Sequence, residues 1–108
     1  YFHLRRLGYT IVARRWHSPK LRGDIDLIGW DGECLCFVEV KTRSSHGFQP
    51  AEVAVDHEKR RMLAQMAREY VRHLETPDKI PTRFDVVSVY FPGGIPEFDV
   101  FRGAFDWN

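Results

Sequence analysis

G-D-I-D-L-I-G-W-D-G-E-C-L-C-F-V-E-V-K-T-R, residues 23–43, reads as two β-strands joined by a tight turn. Asp31-Gly32 is a hairpin signal, because a type I′ turn needs positive φ at both central residues. Side chains alternate between the faces of a strand. Leu35 and Phe37 therefore share one face of the second arm, and Cys36, Val38 and Val40 the other. An arm that is apolar on both faces suits an interior strand. Glu39 and Lys41 continue the Leu35–Phe37 face, so that face turns charged toward its end. A carboxylate and an amine there are costly unless paired, solvated or bound to a metal.

On the first arm, Asp24, Asp26 and Ile28 share one face, and Ile25 and Leu27 the other. A two-residue turn at Asp31-Gly32 sets Asp24 opposite Glu39, with Asp26 its diagonal neighbour. A four-residue turn sets Asp26 itself opposite Glu39. Both registers gather Asp24, Asp26, Glu39 and Lys41 on one face. Like charges so close repel strongly once desolvated. A hard divalent cation removes that repulsion. A salt-bridge network of the acids with Lys41 is the alternative.

The 108 residues suit a single domain, 1–108, with one core. The apolar share of 44% and charged share of 29% are ordinary for a soluble protein. No apolar run approaches membrane-spanning length, and no signal-peptide pattern opens the chain. The chain opens on Tyr1 rather than Met, so further residues are expected before it. Cys34 and Cys36 are two apart on one strand, a poor spacing for a disulfide, and no other cysteine completes a zinc set. Free buried thiols fit a reducing cytoplasm.

Net charge is only +1, but the charges are unevenly spread. Arg5, Arg6, Arg14, Arg15, Lys20 and Arg22 precede Asp24, the first acid. From Phe84 onward, Asp85, Glu97, Asp99 and Asp106 face one base, Arg102. A basic surface beside an acidic cluster suggests a polyanion partner.

Around the hairpin, Tyr1–Leu7 reads as the end of a helix closed by Gly8. Tyr9–Trp16 reads as a strand, with Tyr9, Ile11 and Ala13 on one side and Thr10, Val12 and Arg14 on the other. The loop at Pro19 brings Arg14, Arg15, Lys20 and Arg22 toward the acids. Thr42–Pro50 is a polar loop suited to substrate contact, with His46, Phe48 and Gln49 in it. Met62, Leu63, Met66, Ala67, Tyr70, Val71 and Leu74 form the apolar stripe of a helix from Asp56 to Leu74. Asp56 caps it and Thr76-Pro77 stops it. Lys59, Arg60 and Arg61 oppose the dipole of its first turns. Arg83–Phe91 is a further strand with Asp85 as a strand-end or capping residue, and Pro96–Phe101 returns as an edge strand. Trp16, Trp30 and Trp107 are packing residues. The order α-β-β-β-α-β-(β) gives an α/β (α+β) fold with a central mixed sheet and flanking helices.

A carboxylate followed, on the next strand, by Glu39-Val40-Lys41 resembles the PD-(D/E)XK nuclease superfamily, with its restriction-endonuclease-like core. The words G-Y-T-I-V-A-R-R (8–15), G-D-I-D-L-I (23–28), F-V-E-V-K-T-R (37–43), P-A-E-V-A-V (50–55) with Lys59, and R-F-D-V-V (83–87) resemble the YraN-like family of uncharacterised bacterial proteins. That family is likened to Holliday-junction resolvases. The resemblance implies a metal-dependent endonuclease acting on DNA, more than RNA, and on branched or structured DNA. A non-catalytic nucleic-acid-binding protein with the nuclease fold is the alternative. Position by position, the resemblance implies that Asp26, Glu39 and the Val40 carbonyl hold Mg²⁺, or Mn²⁺ in its place. Lys41 steadies the attacking water or the developing charge. Asp24 falls at an acidic position outside the direct ligands, and Gln49 at a polar position that supports the lysine or substrate. Arg14, Arg15, Lys20, Arg22, Arg43 and Lys59 are the expected phosphate contacts. Such nucleases also draw a Glu from the first helix; no acid precedes Asp24, so it is expected before Tyr1 or is lacking. A two-fold homodimer is the expected assembly.

Overall fold

The double-sided apolar pattern of residues 35–38 places their strand at the middle of a sheet. The computed structural model describes residues 1–43, 57–74 and 79–105. Its elements are α1 (Phe2–Arg6), β1 (Thr10–Trp16), β2 (Ile25–Asp31), β3 (Cys34–Arg43), α2 (His57–Arg72), β4 (Thr82–Tyr90) and β5 (Glu97–Phe105). The strands form one five-stranded sheet in the order β1-β2-β3-β4-β5. All neighbours are antiparallel except β3 and β4, which run parallel and are joined through α2. This is the expected mixed α+β sheet, consistent with a restriction-endonuclease-like core. His46, Phe48, Gln49, residues 50–55, the Asp56 cap, the Thr76-Pro77 stop and Trp107 lie outside the described residues. The Arg43 backbone pairs with Tyr90, while its side chain also lies outside them.

Two apolar layers form, one on each face. On the α2 face, Ile28, Leu35, Phe37, Phe84 and Val86 pack with Leu63, Ala64, Met66 and Ala67. On the α1 face, Leu4 and Tyr9 pack with Leu27, Cys36, Val38 and Val87. The alternation along β3 thus holds, and the α2 stripe is core. Gly8, at φ +97, ends α1 as expected, and the Tyr9 N–H donates back to the Leu4 carbonyl. Trp16 and Trp30 pack against the α2-face layer. Cys36 is buried, Cys34 is half-buried, and both thiols are free. Among the described residues no helix is long and apolar enough to cross a membrane.

The structure corrects three local readings. The β2–β3 turn is centred on Gly32-Glu33, because Asp31 pairs with Cys34. Tyr9, Ile11 and Ala13 do not share a face: a bulge at Val12 puts Ile11 with the α1-face layer and Ala13 with the α2-face layer. Ile25 also joins the α2-face layer, away from Leu27. Its partner across the ladder is Trp16, which follows Arg15 at φ +50, so the strand pair twists there and the alternation fails.

Asp85 is neither a strand end nor a cap. It is wholly buried in mid-strand, opposite a register shift in β5. Its carboxylate accepts from Tyr9 Oη at 2.7 Å, Arg83 Nε at 2.8 Å, Arg83 Nη2 at 3.0 Å and the Gly103 N–H at 2.9 Å. Arg83 also donates to Asp31 at 2.9 Å, tying the hairpin to β4. Burial, with Asp85 alongside, pushes the Tyr9 phenol up to about 12. Asp85→Ala removes the buried acceptor shared by Tyr9, Arg83 and the Gly103 N–H and leaves Arg83 only Asp31, so a loss of about 3 kcal/mol or more is expected in urea unfolding. Tyr9→Phe removes one hydroxyl bonded to that carboxylate and is expected to cost about 1.5 kcal/mol. Equal, small losses in both variants would show that the Asp85 network does not hold the sheet.

Candidate functional site

Beyond the Leu27–Val38 pair the β2–β3 ladder opens, and continuing its register by one residue sets Asp26 beside Glu39. This is the second of the two expected registers, reached through the shorter turn. Asp26 reaches into the gap: its Oδ2 accepts the Val40 N–H at 2.8 Å. A side-chain carboxylate thus replaces a backbone carbonyl at this rung. The N–H and C=O of one strand residue face the same neighbouring strand. The Val40 carbonyl is therefore also turned toward β2.

Glu39 is 7% exposed, on the α2 face. Its Oε1 lies 3.7 Å from Lys41 Nζ and 3.7 Å from Lys59 Nζ. Lys41 comes from the same strand, two residues on; Lys59 comes from the first turn of α2. Burial raises the Glu39 carboxyl above its ordinary value, and Asp26 raises it further. Lys59 and Lys41 pull the other way, and Asp24 adds a smaller upward push. Burial and the neighbouring acid together outweigh the two ammonium groups.

The expectation that three acids converge is corrected. Asp24 is exposed, and among the described residues no group of three or more His, Cys, Asp or Glu is placed to hold a metal ion. What remains is an all-oxygen set of Asp26, Glu39 and the Val40 carbonyl. Hard cations take such donors, and Mg²⁺ keeps several waters of its own. A like-charged pair of carboxylates, Glu39 buried and Asp26 half-buried, fits that chemistry.

The expected phosphate contacts separate. Arg14 and Arg15 come near Asp26, lining with it an open cleft of about 360 Å³ whose other walls are Tyr1 and the α1-face residues Leu27 and Val40. The Arg14 guanidinium lies over the Tyr1 ring, 4.6 Å from its centroid. Lys20 does not flank the site: its charge acts on Glu69, about 15 Å along α2 from Lys59. Arg22 is exposed, just ahead of Gly23, where an added Cβ would fall 2.7 Å from the Met62 side chain. Ser88 sits in register with Lys41, fully buried, its Oγ without a hydrogen-bond partner among the described residues.

Sequence reasoning gave Lys59 only a phosphate contact and missed its approach to Glu39. The signal was available: Lys59 stands three, four and seven residues before Met62, Leu63 and Met66, on the stripe that faces the sheet.

Fold and site together define a small mixed α+β domain with a carboxylate–lysine cluster toward the carboxyl end of its parallel strand pair. In open α/β sheets ligands bind beyond such ends. The chain belongs to the uncharacterised protein family UPF0102, whose family model matches residues 1–89. A UPF0102 protein of Koribacter versatilis is 47% identical over 105 residues, covering 97% of this chain and 72% of the relative. One from Solibacter usitatus is 50% identical over 103 residues, covering 95% and 76%. A third, from Geobacter metallireducens, is 34% identical over 104 residues, covering 96% and 83%.

The raised Glu39 carboxyl carries a stability consequence. Below the unfolded chain's glutamate value, about 4.3, both states are protonated and nothing is lost. As pH rises through that value and then the folded one, the folded protein must ionise a buried group and loses stability. Glu39→Gln is therefore expected to be more stable than wild type near neutral pH in EDTA, with the gap closing toward about pH 4. Urea midpoints across pH check this. A wild type that is the more stable at neutral pH would show that the lysines outweigh burial.

Proposed function

We propose that this protein is a divalent-cation-dependent nuclease that hydrolyses phosphodiester bonds of DNA, with branched or structured DNA as its substrate. One observation carries the reading: the buried Glu39 lies beside Asp26, with Lys41 against it and an arginine-lined cleft opening at Asp26. The two lysines offset Glu39, while the half-buried Asp26 beside it raises its carboxyl pKa, as the second of a pair of cation ligands would.

In this reading Asp26, Glu39 and the Val40 carbonyl hold Mg²⁺ or Mn²⁺. When bound, the cation neutralises the phosphate oxygens and lowers the pKa of a water. Lys41 is a compact cation with three donors, able to hold the attacking water or to meet charge that develops on the phosphorus oxygens. Arg14 and Arg15 hold the neighbouring phosphates, and a guanidinium fork grips a phosphate by two bonds. Asp26, pinned to the Val40 N–H, cannot rotate freely, so its other oxygen is pre-oriented. A two-fold pair of copies and a cytoplasmic setting accompany the reading.

A non-catalytic nucleic-acid-binding role is the second reading. It is favoured by the two ammonium groups already on Glu39 and by the lack of a three-ligand cluster among the described residues. Cleavage of junction, flap and duplex DNA with Mg²⁺ or Mn²⁺ separates the two. Asp26→Ala, Glu39→Ala and Lys41→Ala are each expected to lower the rate by about 10²–10³-fold. Absence of cleavage in every preparation, with salt-sensitive DNA binding that survives Glu39→Ala, would establish the binding role instead.

A further inference from the structure

Glu39 is served by two lysines of different origin. Lys41 is on its own strand, two residues on. Lys59 belongs to another element and approaches from above the sheet, its side chain 33% exposed. It heads a run of three bases, Lys59-Arg60-Arg61, near the positive end of the α2 dipole, where a cation is disfavoured. Yet Lys59 is held at 3.7 Å from a nearly buried carboxylate. That placement gives the Glu39 charge a second ammonium partner beside Lys41 when no metal is bound. It also sets the ammonium against Oε1, one of the two side-chain oxygens that Glu39 can offer a metal.

We propose that Lys59 is the resting counter-ion of the cation site: Lys59 and a divalent cation compete for the Glu39 carboxylate. The proposal rests on the reading that Asp26 and Glu39 form a cation site, and it goes beyond that reading by giving Lys59 a role in setting affinity. Lys59 is thus a positioning residue, acting on the cation through Glu39. It is the member of the pair that comes from a separate element, so its side chain can turn away from Glu39 while β3 and Lys41 keep their place.

The test is Mn²⁺ binding to the full chain, without nucleic acid, by calorimetry and by the Mn²⁺-induced shift in melting temperature. Wild type, Lys59→Met, Lys59→Arg and Glu39→Gln are compared. Met keeps the stem without the charge; Arg keeps the charge. Lys59→Met is expected to bind Mn²⁺ about tenfold more tightly than wild type, roughly 1.4 kcal/mol. Lys59→Arg is expected to match wild type, and Glu39→Gln to lose binding. Equal affinities in wild type and Lys59→Met overturn the competition while leaving the cation site standing. Weaker binding in Lys59→Met also overturns it, by showing that Lys59 holds Glu39 in place for the metal. No Mn²⁺ binding in any variant, Lys59→Met included, overturns both the competition and the cation site. Far-ultraviolet circular dichroism and a urea midpoint confirm that each variant is folded. Should Lys59→Met fail to fold, Lys59→Gln decides by the same outcomes.

Discussion

Glu39 holds a negative charge inside a sheet that gives it almost no water. Everything around it follows from that constraint. An interior strand can end in a carboxylate only if opposite charges reach it, and the fold supplies them from two directions, Lys41 along β3 and Lys59 from α2, while Asp26 across on β2 adds a like charge. The parallel step between β3 and β4 makes this possible. It requires a crossover, and the crossover brings α2 over the face where Glu39 lies.

The protein buries a second carboxylate, and the comparison shows what each is for. Asp85 is completely enclosed, yet it accepts from a phenol, the two N–H groups along one edge of a guanidinium and a backbone N–H, all at 2.7–3.0 Å. Such a group is finished: every lone pair that could take a ligand is spoken for, and its work is to tie β1, β4 and β5 together. Glu39 meets its two ammonium groups at 3.7 Å, longer than a charge-assisted hydrogen bond of about 2.7–2.9 Å. It also carries a like charge beside it, Asp26, whose hydrogen bond to the Val40 N–H leaves its other oxygen for a ligand. Buried acids are tolerated at either kind of site, but only the looser one leaves oxygens able to change partners.

Much of this was legible in the chain. The alternation Leu35-Cys36-Phe37-Val38 is unambiguous because both faces of β3 are covered, and the α2 stripe is unambiguous because four turns repeat it. From these two elements the helix and strand order follows, and so does the shared face of Glu39 and Lys41. What failed was what depends on single residues. Period-two reasoning assumes an unbroken ladder, and the Val12 bulge and the positive φ of Arg15 each break it, misplacing Ala13 and Ile25. The turn was placed one residue early because Asp-Gly is a strong local signal, whereas the cross-strand pairing favoured Gly32-Glu33. Asp85 was misjudged because its partners Tyr9 and Gly103 are distant in sequence. Lys20 was misplaced because proximity along the chain says little about where a loop folds; its charge acts on Glu69 of α2.

Charge balance sets how the proposed site would take its ligands. Asp26 and Glu39 contribute two negative charges, and Lys41 and Lys59 two positive ones. The cluster is therefore near neutrality at rest. A dication entering this balance leaves a local excess of positive charge, in a place too dry to screen it well. Two events relieve the excess: departure of an ammonium or arrival of a phosphodiester. Cation and nucleic acid would then favour each other's binding through this shared electrostatic term, and that coupling is reciprocal. Arg14 and Arg15, across the cleft from Asp26, sit where an arriving backbone would first feel the field. On the same arithmetic, an acid pair with no third carboxylate would still serve the proposed site, a substrate's own charge completing the set.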